Sequence, residues 1–277
     1  MNDVRLSRRR ITAFSRAVGA IAAAYSDPYD AETLGYRDII APALYPYVLT
    51  QPYLNATFAQ LAPEPALIVL HSIYVRCFTP LLAGQLYSIL LRHKSRNSGD
   101  WTAVTCESAI TLGGSQIAEI KASYGISRAK TLTRSNFTEA DSDYSESQAE
   151  KSEALTPGNS QIQIPIGIRD IADFCAASGD YNPIHLDANA AQQLGLPGII
   201  APGLLVLGKA LSQLEQQNSS AEQRPLMPQI IQARFLSPIH VSAVGTAIHA
   251  ATTTSNSKIE LILTQNANRV ARATLTR

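Results

Sequence analysis

The chain has 277 residues, enough for two domains of ordinary size with a core each. Lys and Arg number 23 and Asp and Glu 22, a net charge of +1, which argues against nucleic acid as a main partner because a phosphate-binding surface needs a clear positive excess. Charged residues are only 16% of the chain, against roughly 25% in ordinary soluble proteins, so more surface is free for interfaces or an apolar ligand.

In chain order, Arg8, Arg9 and Arg10 precede an apolar stretch that superficially looks like a secretory leader. Arg16 interrupts it, and the same stretch matches an internal segment, so no leader is expected. Apolar spacing predicts a helix over residues 8–18 and another over 43–61. Strand patterns follow at 66–75, 85–93, 101–112 and 116–124. Residues 134–160 are rich in Ser, Glu, Asp, Asn and Thr and read as a polar linker. Beyond it, 161–164 alternates like a strand. A helix is predicted from about Asp170 to Ser178, a short one over 188–194, and a longer one from Gly203. Strand patterns at 229–235, 245–253, 258–264 and 269–275 complete an antiparallel sheet.

No run of about 18 apolar residues exists, so no membrane partner is expected. Cys77, Cys106 and Cys175 have no metal or redox spacing, which points to a reduced, cytoplasmic setting. His71, His93, His240 and His249 have no carboxylate or cysteine at ligand spacing, so no metal is expected.

Residues 11–42 match residues 171–202 at a constant offset of 160, with 12 of 32 pairs identical, including Phe14/Phe174, Gly19/Gly179, Asp27/Asp187 and Gly35/Gly195. The chain is therefore a duplication: one domain over 1–133, the linker over 134–160, and a second domain over 161–277. The mismatches are informative. Asp180, Asn182, Pro183 and His185 stand where the upstream copy has Ala20, Ala22, Ala23 and Tyr25. One half holds an ionisable cluster and the other is a supporting half. Asp187 keeps its partner Asp27 in the half without the cluster, which makes it a structural cap.

The segment Ser178-Gly-Asp-Tyr-Asn-Pro-Ile-His-Leu-Asp187, followed at the right distance by Gly203, resembles the signature of the MaoC-like, (R)-specific enoyl-thioester hydratases. The resemblance implies an α+β double hotdog: two antiparallel sheets, each wrapped around a long helix, paired within one chain. It also implies interconversion of trans-2-enoyl and (R)-3-hydroxyacyl thioesters, with coenzyme A or a carrier protein as the handle of the substrate and no separate cofactor. Adding water to a conjugated enoyl thioester needs a base for the water, an acid for the α-carbon and donors for the thioester oxygen. Asp180 and His185, on a tight non-helical turn, would share that water. Asn182 would orient them, and the Gly203 amide at a helix N-terminus would polarise the thioester carbonyl. Family members typically have His-Gly where this chain has Pro202-Gly203, so the amide is retained and the histidine side chain is lost.

Three rivals remain. A thioesterase would need a carboxylate on the long helix, and the first one there, Glu215, lies at its far end. A non-catalytic acyl binder would have lost the dyad in both halves. A carrier-protein-linked dehydratase of fatty-acid or polyketide synthesis is not separated from a coenzyme A enzyme. Loss of the upstream motif is expected to leave room for a bulky acyl chain. Tyr45, Tyr47 and Tyr53 read as packing residues past which an acyl tunnel could run. Exposed sheet edges allow a homodimer of such chains.

Overall fold

The computed structural model describes residues 2–62, 66–127, 161–218, 225–255 and 257–276; the linker expected at 134–160 lies outside them. The two halves repeat one order of elements. The first contains β1 (Asn2–Arg5), α1 (Arg8–Val18), a 3-10 turn (Ala23–Tyr25), α2 (Pro28–Thr33), α3 (Tyr45–Leu61), β2 (Leu67–Cys77), β3 (Leu86–Ser98), β4 (Trp101–Leu112) and β5 (Ser115–Ser127). The second contains β6 (Gln161–Ile166), α4 (Ile168–Ser178), α5 (Pro183–Leu186), α6 (Ala188–Gln193), α7 (Gly203–Asn218), β7 (Ile230–Phe235), β8 (Thr246–Ser255), β9 (Lys258–Gln265) and β10 (Asn268–Thr276).

All ten strands form one antiparallel sheet in the order β1-β3-β4-β5-β2-β7-β10-β9-β8-β6. Each half contributes five strands in mirrored order, and the halves join through β2 and β7. There Tyr74 faces Gln232, while Ser72 faces Arg234 and Arg76 faces Ile230. That register is its own image under a twofold axis through the Tyr74–Gln232 pair, so the duplication read in the sequence is a symmetry of the structure. The sheet wraps the helices as a double hotdog should. Phe14 of α1 packs on Phe174 of α4 and on Tyr45 of α3, with centroids at 6.0 and 5.3 Å, and one apolar core runs through both halves.

The first helix of each half is closed the same way. α1 stops at Gly19 and α4 at Gly179, both in the left-handed region (φ 72° and 79°) that a side chain makes costly. The chain then leaves the helix sharply, and in both halves the residues that follow occupy the site position. Asp27 and Asp187 cap α2 and α6 by accepting from Tyr29 N–H and from Asn189 and Ala190 N–H, the role expected for them. Two local features differ from expectation. β1 is too short and polar to show alternation, and it forms because the edge of β3 offers it a partner. His185 lies in the one-turn helix α5, not on a non-helical turn: Asn182 caps it and Pro183, with φ already set, occupies its first position.

Candidate active site

The site begins where Gly179 ends α4. The Asp180 N–H donates to Ser178 Oγ at 3.2 Å, and Asp180 Oδ1 accepts from the Asn182 N–H at 3.3 Å. Asn182 Oδ1 faces the Ile184 N–H at 3.5 Å and so starts α5. His185, one turn on, is buried, and its Nδ1 lies 2.7 Å from the Ile200 carbonyl oxygen. A carbonyl only accepts, so Nδ1 carries the hydrogen, and the tautomer this selects has its lone pair at Nε2. Nε2 is 3.9 Å from Asp180 Oδ2. That gap is too long for a direct hydrogen bond and is the span of two hydrogen bonds of about 2.8 Å to one shared oxygen atom.

The other half of the chain holds this turn in place. Asn182 Nδ2 donates to the Ile68 carbonyl of β2 at 2.9 Å, and Asn55 Nδ2 of α3 donates to the Gly179 carbonyl at 2.9 Å. Gln51 donates to Asn55 Oδ1 at 2.9 Å. Tyr47, Gln51 and Asn55 are spaced four apart and share one face of α3. The Tyr47 and Tyr124 hydroxyls are hydrogen-bonded to each other in the core. Burial, and to a lesser degree the nearby Asp180 charge, pushes both phenols above the ordinary tyrosine value. Burial first, and then Asp180, pushes the Cys175 thiol up to about 12, so it supplies no thiolate nucleophile at neutral pH.

Gly203 is the first residue of α7, where the N–H groups have no acceptor within the helix. Ile200, three residues earlier, is bound at both ends: its N–H donates to the Ile184 carbonyl at 3.2 Å and its carbonyl accepts from His185. The helix start is thus fixed close to the imidazole. Gly203 also has a packing reason: a Cβ there would sit 2.6 Å from the Phe235 ring.

The same position in the first half is closed. Tyr25, at the place of His185, is buried and donates to Glu215 Oε2 of α7 at 2.7 Å; the Leu226 N–H donates to that oxygen at 2.7 Å and the Ala22 N–H to Oε1 at 3.4 Å. A cavity of about 20 Å³ is left, room for one water. The vacated motif has therefore not opened space for a bulky acyl chain at that position. Glu215, taken from sequence as remote from chemistry, is the residue that fills the degenerate site. Sequence reasoning missed it, and missed Gln51, Asn55 and the Ile68 carbonyl. The only signal was that Asn55 and Glu215 are 160 residues apart, the offset of the repeat.

Among the described residues, no three His, Cys, Asp or Glu side chains cluster to hold a metal, and no helix is long and apolar enough to cross a membrane.

Residues 150–271 match the model of the MaoC like domain, and residues 2–84 match that of the FAS1-like dehydratase domain region. The chain belongs to the MaoC-like dehydratase family. A UPF0336 protein of Clavibacter michiganensis is 34% identical over 115 residues, which are 39% of this chain and 74% of that protein. A solved MaoC-like dehydratase superposes with a TM-score of 0.76 at 16% identity, over 99% of this chain and 95% of the other. A Mycobacterium tuberculosis protein described as having a double hotdog fold superposes with a TM-score of 0.64 at 10% identity, over 99% and 93% of the two chains. The family match to the second half covers the turn that carries Asp180 and His185, and the match to the first half covers the Ala20–Tyr25 turn that has lost them.

Proposed function

We propose that this family member is a hydro-lyase of fatty-acyl metabolism, acting in the cytoplasm, that interconverts trans-2-enoyl and (R)-3-hydroxyacyl thioesters. The observation that carries the reading is the dyad: His185, its Nδ1 bonded to the Ile200 carbonyl, presents Nε2 at 3.9 Å from Asp180 Oδ2. In hydration, a water held by both groups gives a proton to Nε2 as its oxygen adds to the β-carbon. The same proton then passes from the imidazolium to the α-carbon. The Asp180 carboxylate accepts a hydrogen bond from the O–H that the water keeps and lies beside the imidazolium. The Gly203 N–H at the start of α7 donates to the thioester oxygen while that oxygen carries enolate charge. Dehydration is the reverse path. No atom changes oxidation state through a cofactor, so none is assigned.

The test is the ultraviolet absorbance of a short and a medium trans-2-enoyl-CoA with wild-type protein, Asp180→Asn and His185→Gln. The expected result is loss of the conjugated enoyl signal, slowed by about 10²-fold or more in each variant. A signal that falls equally fast with both variants, or that persists with wild type on these substrates and on the same acyl groups carried by an acyl carrier protein, overturns the reading. Release of free thiol would assign a thioesterase instead.

A further inference from the structure

The turn that carries the dyad shows two exposed apolar side chains, Tyr181 (61% exposed) and Leu186 (43%). Between them, Ile184 is buried against Leu67 and Val69 of β2, and Trp101 of β4 packs on the same cluster. Val69 begins a row of directly opposed residues across four strands: Val69, Gly125, Ala103 and Arg96. Directly opposed residues lie on one face of a sheet. The alternation along β3 puts Lys94 and Arg92 on that face with Arg96, and all three are exposed. Arg96 is three strands from Val69, about 14 Å at ordinary strand spacing.

Acidic compensation along this face weakens toward the active turn. Near the twofold axis, Arg76 pairs with Glu119 at 3.7 Å. Arg92 faces Glu107, which in turn faces Lys121. Lys94 faces only Thr105, and Arg96 only Ala103. Asp100, in the hairpin turn, is the nearest acid in sequence. Among the described residues neither Lys94 nor Arg96 has an ion-pair partner. In a chain of net charge +1, this is a local positive surface and not a general one.

The shape of the stripe selects its partner. A nucleotide is gripped by donors that converge on its phosphates in a cleft. Cations about 6.6 Å apart along a straight strand do not converge; they span about 13 Å and suit a row of carboxylates on a folded surface. We propose that Arg92, Lys94 and Arg96 dock an acidic carrier protein that bears the acyl thioester, with Tyr181 and Leu186 against its apolar surface beside the active turn. This rests on the hydratase reading of the site.

The experiment compares crotonyl-CoA with a crotonyl thioester on a phosphopantetheinylated acyl carrier protein, using wild type, an Arg92→Ala/Lys94→Ala/Arg96→Ala variant and its three-fold Glu counterpart. At low salt, kcat/KM on the carrier-bound substrate is expected to fall at least about tenfold in the Ala variant and further in the Glu variant, with crotonyl-CoA within about twofold of wild type. Raising the salt should slow wild type on the carrier-bound substrate and leave the Ala variant little changed. An equal loss on both substrates, or no loss on either, overturns the proposal. Binding of the same carrier protein to immobilised wild type and Ala variant needs no turnover. If neither thioester is hydrated, the catalytic reading fails while binding lost in the variant upholds the docking surface; no binding by wild type overturns it.

Discussion

The Tyr25 hydroxyl donates to Glu215 Oε2 at 2.7 Å, across 190 residues of sequence, and this contact fills the turn of the half that lacks the Asp180–His185 pair. Glu215 occupies on α7 the place that Asn55 occupies on α3, and each reaches over to the turn of the opposite half. On the active side the helix residue is a neutral amide that steadies the Gly179 carbonyl, and the acid is on the turn, at Asp180. On the closed side the turn has Ala20 and Ala22, and the acid comes from the helix. A carboxylate that accepts from the Tyr25 hydroxyl and from the Ala22 and Leu226 N–H groups, beside a cavity with room for only one water, holds a structure together.

Replacing Glu215 by Ala would strand the Tyr25 hydroxyl and the Ala22 and Leu226 N–H groups in the interior. The expected cost is about 3 kcal/mol, measured as a lower urea midpoint, with turnover per folded molecule unchanged because the dyad lies in the other half. A Glu215→Ala protein as stable as wild type would mean that the contact is incidental. Tyr25 gives an alkaline counterpart. Burial, then the charge of Glu215, raises its phenol well above the ordinary value. Its contribution is complete below about pH 10, where the unfolded phenol titrates, and is lost as pH rises toward the folded value. Tyr25→Phe should therefore flatten the alkaline fall in thermal stability.

Asn182 and Asn55 tie the active turn to β2 and α3 of the other half, each through a 2.9 Å bond to a backbone carbonyl. Asn182→Ala frees the turn from Ile68 and weakens the α5 cap. It should lower kcat by about tenfold to a hundredfold, since small misplacements of a reacting group are costly, and reduce stability by about 1 kcal/mol. Asn55 is exposed, so Asn55→Ala should have the smaller effect, a few-fold in kcat. If both variants change KM alone, the ties act on substrate binding and not on the dyad.

Asp170 couples the helix that delivers the active turn to α7. Its Oδ1 accepts from Lys209 Nζ at 2.7 Å and its Oδ2 from the Gly167 N–H at the start of α4, also at 2.7 Å. Burial alone would raise its pKa, but the Lys209 ammonium and the Gly167 N–H together hold it below the ordinary carboxylate value. A lowered folded pKa means that the contribution is present above about pH 4 and fades as pH falls through the folded value. The group is partly exposed, so screening limits its effect: Asp170→Asn should cost about 1 kcal/mol at neutral pH. The gap in Tm between wild type and variant should close below about pH 4. A gap that stays constant through the acid range would assign the loss to packing.

The candidate dyad was legible because Asp180 and His185 lie on one short segment of sequence, and the sheet because alternation has a period of two. The residues that place the dyad were out of reach for physical reasons. Ile68 and Ile200 act through backbone carbonyls, which have no side-chain signature. Asn55 and Glu215 touch turns more than a hundred residues away, and the long helices that bear them bury side chains on several faces, so no apolar stripe marks the face turned to the site. The offset of the repeat changes from 160 in the turns to 158 in the strands joined at the twofold axis, because the connection after the long helix is two residues shorter in the second half. Ile68 and Leu226, which face equivalent turns, match at this second offset, as do Arg76–Pro80 and Arg234–Pro238.

Gly203 has two roles that one pair of substitutions can separate. Its amide is assigned to the thioester oxygen, and its missing Cβ admits Phe235. In the first half the corresponding residues are Ala43 and Cys77, a larger residue at the helix start and a smaller one on the strand. Gly203→Ala keeps the amide but places a methyl 2.6 Å from the Phe235 ring, an overpacking expected to cost about 2 kcal/mol and to displace the helix start. Adding Phe235→Leu, a smaller and more mobile side chain, should recover part of the stability and, with the amide back in place, most of the turnover. If stability returns and kcat does not, space above the Gly203 Cα is itself needed by the substrate. If kcat is untouched by Gly203→Ala despite the loss of stability, the amide at the start of α7 does not contact the reacting thioester.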